Sequence, residues 1–275
     1  MRQGEASEAL ELTVWPGGPG TGARNMALDE SAMESARRGA VAVRLYSFEP
    51  DCISLGRNQP TVGQLNGRPS DRLVPGLDVV RRPTGGRAVF HGPEVTYAVA
   101  VPERLLGGPR ATYRAIHAAL AAALARLGVP LDARAAEGTE PGASAGGAAG
   151  RPRGRLDLEE CFVAAAPGEI TVGGRKLVGS AQWRHRGAIL QHGSILLRNE
   201  QRRASVSGTG GGGAIGLGEI LAVVPSRDEV AAVVAASLRE LAEARADPSP
   251  PRAEDLAVAE TRAARYRSPE WTWRR

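Results

Sequence analysis

The densest chemistry in this chain is the run Arg81-Arg82-Pro83-Thr84-Gly85-Gly86-Arg87-Ala88-Val89-Phe90-His91. Two glycines after a threonine let backbone approach a ligand closely and expose N–H donors to it. The flanking arginines can neutralise a phosphate or pyrophosphate, and His91 can donate to an oxygen or brace the loop against backbone. The same residues would also serve as a basic surface turn between two strands. A second candidate stands apart from this run. Thirty-five residues are Lys or Arg, and Lys176 is the only lysine among them. Arginine supplies charge and bulk, but its pKa keeps it from exchanging a proton near neutrality. Lys176 sits in Gly173-Gly174-Arg175-Lys176-Leu177-Val178-Gly179-Ser180 and not in a charge-rich helix. That setting points to a task for its amine, although a bias toward arginine codons would leave the same single lysine. The thiols are Cys52 and Cys161. By default each is a small buried apolar residue, and Cys52 has no Lys or His beside it.

His91, His117, His185 and His192 show no HExxH spacing, and the two cysteines are far apart, so zinc is not expected. His117 falls in a helical pattern and reads as structural. His192 reads either as a hydrogen-bonding strand residue or as pocket lining. Composition narrows the partners. At 275 residues, 42% of them hydrophobic and 24% charged, the chain resembles an ordinary globular protein with a substantial core. No apolar run approaches the ~20 residues of a bilayer span. The first eleven residues carry three glutamates and no signal-like apolar segment. A cytoplasmic protein with reduced thiols and no membrane partner is therefore expected. A net charge of +5 favours acidic partners. Aromatics are 4% and are not interleaved with basic residues, so no nucleic-acid partner is expected.

The elements that must position these groups follow from periodicity and punctuation. Residues 25–38 read as a helix ended by Gly39, and 110–127 as a second one ended by Gly128. Short strands are expected at 41–46, 52–55, 77–80 and 95–101. A meander follows at 169–172, 176–183 and 188–197, turning at Gly173-Gly174 and at His185-Arg186-Gly187. In such a strand Lys176, Val178 and Ser180 share one face, so Lys176 can enter a pocket while Leu177 packs behind. Residues 133–155 and 207–213 are Gly-rich excursions, the second without a Walker-type GKS or GKT. Ser226 and Glu229 form a capping box for a helix to about residue 244, read as the last in the chain. A Pro-rich linker at 247–252 leads into the tail.

Taken together, several segments resemble the biotin/lipoate-ligase superfamily in its lipoate-ligase and octanoyltransferase branch. They are Arg81–His91 with the following GPEVTYAVAVP, Asn25–Glu30, Arg44–Tyr46 through Ser54–Gln59, Gly174–Gln182, Leu190–Leu196 and Tyr266–Trp271. They stand in the family's order and span roughly residues 12–273. The resemblance implies an α/β (α+β) fold: a mixed, largely antiparallel sheet flanked by helices. It further implies a catalytic domain over 12–220, followed by a C-terminal helical segment and tail over 221–275.

One class in this branch moves an octanoyl group from octanoyl-acyl carrier protein, by way of a cysteine thioester, to a lysine of a lipoyl domain. Acceptors of that kind are the glycine cleavage H protein and the E2 subunit of 2-oxoacid dehydrogenases, and no cofactor is needed. Cys161-Phe162 stands where that class carries its nucleophilic Cys-Phe, although Val163-Ala164-Ala165-Ala166-Pro167 replaces the expected Asp-Ala-Pro. Arg87, where ligases commonly carry glycine, leans the same way. The implied catalytic residues are Cys161 and Lys176. A cation near a thiol stabilises the thiolate, and Lys176 could then serve the oxyanion or take a proton. The implied substrate-binding residues are Arg82, Thr84, Gly85, Gly86, Arg87, His91, Gly179, Ser180 and His192. An ATP-dependent lipoate-protein ligase would use the same loop to grip an adenylate phosphate. A carrier- or lipoyl-domain-binding protein without activity is the third reading.

Overall fold

The computed structural model describes residues 11–59, 76–133, 169–201, 213–241 and 248–274. Its N-terminal strands β1 (Leu12–Val14) and β2 (Gly18–Gly20) lead into helix α1 (Gly22–Arg37). The Thr21 side chain accepts from the Arg24 amide and starts that helix, satisfying one of its orphan donors. Strands β3 (Val41–Phe48), β4 (Cys52–Leu55), β5 (Asp78–Arg81), β6 (Val89–His91) and β7 (Glu94–Pro102) follow. Helix α2 (Pro109–Arg126) opens with proline in its first turn, where the missing N–H costs nothing. The hairpin strands are β8 (Ile170–Val172), β9 (Arg175–His185) and β10 (Ala188–Leu196). Helix α3 (Arg227–Glu240) begins at the expected Ser226/Glu229 capping box.

Among the described residues, seven strands form one sheet in the order β1-β3-β7-β10-β9-β8, with β2 also on β3. β1 and β2 run parallel to β3, and the remaining pairs are antiparallel. The sheet is thus mixed and largely antiparallel, as the resemblance implies. Successive residues of β7 divide between two cores, as strand alternation requires. Val99 and Val101 join Ile116, Leu120, Val230 and Val234 under α2 and α3. Ala98 and Ala100 join Met26, Met33 and Tyr46 under α1. No described helix is long and apolar enough to cross a membrane.

Three features differ from the expectations. A second sheet, β5-β4-β6, stands apart from the first. Its strands are three or four residues long, too short for alternation to distinguish them from strands of the main sheet. Strand β5 also runs one residue further than expected and takes in Arg81. Finally, the helix at α3 is not the last. Helix α4 (Ala253–Arg267) and a single turn, α5 (Pro269–Thr272), follow it. The buried stripe of α4 is Asp255, Ala259, Ala263 and Tyr266, an acid, two alanines and one aromatic that give little apolar periodic signal. Its attachment to α1 is partly ionic, from Arg262 to Glu34 and from Arg265 to Glu30. Beyond residue 133, the 133–155 excursion lies outside the described residues, as does 207–212.

Candidate active site

A cavity of about 300 Å³ lies between α1, β7, β9, β10 and the loop that follows β5. That volume is at the lower end for small-molecule sites. Eight predicted residues line it: Arg82, Gly86, Arg87, His91, Lys176, Gly179, Ser180 and His192. Thr84 is buried and reaches the site through His192, whereas Gly85 contributes a carbonyl to the loop's framework. Cys161 lies outside the described residues.

The loop takes its shape from Arg82. Its guanidinium donates to the Ser54 carbonyl at 2.8 Å, to the Gly85 carbonyl at 2.7 Å and to the Arg87 carbonyl at 2.7 Å. A rigid five-donor fork suits this task. Arg82 therefore builds the wall as well as lining it. Glycine is required at Gly86 and at Gly56, which meets it, but not at Gly85, where a Cβ would touch nothing. A Cβ at Gly56 would sit 1.7 Å from the Gly86 carbonyl oxygen, and Gly86 has φ +90°. Arg87 is exposed at the rim.

Beneath the loop, His192 joins it to a buried charge. Its Nδ1 is 2.8 Å from Asp29 Oδ2, and its Nε2 is 2.7 Å from Thr84 Oγ1. Asp29 is fully buried and also accepts from Arg44 at 2.8 Å and from the Tyr46 hydroxyl at 2.6 Å. Burial alone would push the Asp29 carboxyl up, but His192, Arg44 and Tyr46 together hold it below the usual carboxylate range. Burial pushes the His192 imidazole below its ordinary value, against the opposing pull of Asp29. At neutral pH the ring is thus neutral. It carries its proton on Nδ1 toward the carboxylate and accepts the Thr84 hydroxyl at Nε2.

His91 is held in a parallel way. Its Nδ1 is 2.6 Å from Glu94 Oε1, its Nε2 is 2.7 Å from Ser54 Oγ, and its ring stacks on Phe48 at 4.1 Å. Thr96 and Ser194 donate to the same Glu94 oxygen. On the opposite wall Lys176 is 6% exposed, and its Nζ is 2.5 Å from Glu169 Oε1.

The alternation expected for β9 does not hold at Lys176. The pairing of β8 with β9 shifts register between Ile170 and Thr171, which face Val178 and Lys176. Leu177 and Val178 both enter the core under α2, while Lys176 lines the cavity. A bulge re-aims a side chain in this manner. Ser180 lines the cavity too, but its hydroxyl bonds Tyr97 at 2.7 Å and His117 at 2.9 Å. Gly193 opposite Ser180 makes room for the Tyr97 ring, because a Cβ there would stand 2.9 Å from it.

Sequence reasoning passed over Asp29, Arg44, Tyr46, Glu94 and Glu169. Asp29 and Glu94 each fall within a quoted motif, and Glu94 stands three residues after His91. Nothing local to Glu169 marks it as the partner of Lys176. Cys52 is fully buried, and burial with nearby Asp78 pushes its thiol well up, as befits a core residue.

One mixed sheet thus carries a lysine–carboxylate pair across a cavity from an Arg-Gly-Gly loop. The description "Lipoyl protein ligase A/B catalytic domain" matches residues 21–209, and the chain belongs to that family. It is 36% identical to the octanoyltransferase LipM of Kyrpidia tusciae over 94% of this chain and 97% of that protein. It is 32% identical to the octanoyltransferase LipM of Exiguobacterium sibiricum over 92% and 95% of the two chains. The fold is that of a bi-partite lipoate protein ligase from Thermoplasma acidophilum, solved in a study that includes its E2 lipoyl domain. Superposition gives a TM-score of 0.67 at 18% identity, covering 96% of each chain.

Proposed function

We propose that this protein is an octanoyltransferase that takes an octanoyl group from octanoyl-acyl carrier protein and delivers it to a lysine of a lipoyl domain. The observation that carries this reading is the nearly end-to-end similarity to an octanoyltransferase at 36% identity. The lipoyl domain as acceptor is supported by family membership and by the E2 lipoyl domain studied with the Thermoplasma ligase.

The chemistry takes two acyl transfers. Cys161 thiolate attacks the thioester carbonyl, a C–S bond forms, and the carrier's thiolate leaves. The acceptor lysine then attacks the new thioester as a free amine, the amide bond forms, and the Cys161 sulfur leaves as thiolate. The proton lost by the amine must go to a base in the site. Lys176 is the group suited to both demands: as ammonium it stabilises the oxyanion, and as amine it accepts the proton. Its contact with Glu169 fixes the Nζ in the cavity wall. Backbone N–H groups of the Gly85-Gly86-Arg87 loop, held by Arg82 and by Thr84 on His192, supply further donors for the carbonyl. The octanoyl chain would occupy the cavity between Met26, Val89 and Ala181.

The test is transfer from octanoyl-acyl carrier protein to an isolated lipoyl domain without ATP, followed by the acceptor's intact mass. Acylation without ATP is expected. Acylation only with free octanoate or lipoate and ATP would make the protein a ligase, and carrier binding without turnover would make it a binding protein.

A further inference from the structure

Arg81 ends β5 fully buried, one residue before the loop that walls the cavity. A guanidinium taken out of water must have its donors satisfied. Arg81 donates to two separate stretches of backbone. Toward the loop after β4, Nη1 meets the Gly56 carbonyl at 2.6 Å and the Gln59 carbonyl at 2.8 Å. Toward the C-terminal segment, Nε meets the Thr272 carbonyl at 2.9 Å and Nη2 the Arg274 carbonyl at 3.1 Å. The segment answers in kind: Trp271 Nε1 donates to the Arg81 carbonyl at 2.8 Å. Arg274 lies 3.7 Å over the Trp271 ring and donates to the Arg57 carbonyl at 3.3 Å.

The Gly56–Gln59 loop in turn supports the cavity wall. The Arg57 amide donates to the Thr84 carbonyl at 2.8 Å, and Thr84 is the residue that His192 holds. Gly56 packs directly against the Gly86 carbonyl, leaving no room there for a side chain. A path of direct contacts thus runs from Trp271 and Arg274 through Arg81 and Arg57 to Thr84.

We propose that Arg81 is a positioning residue that locks the 268–274 segment to the Gly56–Gln59 loop, so that the C-terminal segment sets where the Gly85-Gly86-Arg87 wall stands. A planar fork can hold two backbone stretches at fixed spacing, which a lysine cannot. For the catalytic consequence, this proposal rests on the octanoyltransferase reading. For the mechanical one it does not.

Four variants of the full chain separate the possibilities: Arg81→Lys, Trp271→Phe, their double variant, and Val234→Ala. Val234 is a buried residue of α3, in a core that includes none of the residues of the path, and serves as a control for general destabilisation. The first readout is amide hydrogen exchange in the ligand-free protein. Arg81→Lys and Trp271→Phe should speed exchange of the Arg57 amide and of residues 84–88 at least roughly tenfold, leaving β7 and β10 unchanged. Val234→Ala should not produce that local pattern. Unchanged exchange at 84–88, or the same change in Val234→Ala, overturns the proposal.

The second readout is octanoyl transfer well below each melting temperature. Misplaced site groups should lower kcat by roughly ten- to a hundredfold in both single variants, with the double variant no worse than the more affected single one. Val234→Ala should turn over like wild type. Faster exchange with unchanged turnover would overturn the claim that the segment governs the site. If the wild-type protein transfers no octanoyl group, the functional reading fails, and the exchange experiment decides the positioning claim by itself.

Discussion

Replacing Asp29 by asparagine tests the charge beneath the cavity. In the wild type this buried carboxylate faces Arg44, whose side chain is 1% exposed. Asparagine is nearly isosteric, so the change removes charge without opening a hole. It leaves the guanidinium with its carbonyl acceptors, at Pro16 and Asn25, but without a counter-charge. Breaking one side of a buried ion pair costs about 3–5 kcal/mol. In a chain of this size each kcal/mol is worth about 2–4 °C, so the melting temperature should fall by roughly 6–20 °C.

The change also reaches the site. An amide at position 29 can donate to His192 Nδ1, which would move the ring proton to Nε2 and reverse the bond to Thr84. The assay is chemical denaturation at pH 7 for Asp29→Asn, Arg44→Met and the pair Asp29→Leu/Arg44→Met. The apolar pair should lose less than the sum of the single losses, since it buries no unpaired charge. A loss below about 1 kcal/mol in Asp29→Asn would refute the reasoning.

The remaining predictions concern single groups. His192 has a folded pKa below its ordinary 6.5, so the unfolded chain takes up the proton first. Its contribution to stability is complete above pH 6.5 and is lost as pH falls from there through the folded pKa. Denaturation curves should show this acid slope in wild type and a smaller one in His192→Gln; equal slopes would contradict the assignment. Lys176→Arg keeps charge but cannot exchange a proton, so transfer should fall by about 10²–10⁴-fold, as read by acceptor mass. Near-normal transfer in that variant would leave only an electrostatic role for Lys176. Gly193→Ala places a Cβ 2.2 Å from the Gly179 carbonyl oxygen. The strand must shift, at a cost of about 1–3 kcal/mol in a denaturation experiment. Ser226→Ala removes the α3 capping box and should cost about 1 kcal/mol, without effect on transfer.

The parts of the fold that were legible in the sequence are those with strong local signals. Helix α2 has leucines and isoleucine at helical spacing, and α3 has its capping box. Helix α4 is not legible, because its buried face mixes alanines with Asp255 and Tyr266 and its grip on α1 is largely polar, from arginines that look solvent-exposed in sequence. The Arg-Gly-Gly loop and Lys176 stand out by residue type, His192 reads as either a structural residue or pocket lining, and the structure brings all three to one cavity. Their partners did not stand out. Asp29 is 163 positions from His192, and a buried carboxylate in a helix looks like any other acidic residue until the fold brings its donors together. Local alternation also misplaced the companions of Lys176, because a bulge set by pairing with β8 changes which residues share a face. The roles of Arg81 and Arg82 show a similar limit. The residue type suggests anion binding, whereas both guanidiniums are engaged in tying loops together.

The most direct test of octanoyl transfer through Cys161 is the intact mass of the protein after mixing with octanoyl-acyl carrier protein in the absence of ATP, beside a Cys161→Ser control. The account predicts a gain of one octanoyl group that hydroxylamine removes and that the serine variant does not show in hydroxylamine-labile form. No adduct on the wild-type protein, with acceptor acylation appearing only when free acid and ATP are supplied, would contradict it and return Cys161 to the role of an inert thiol.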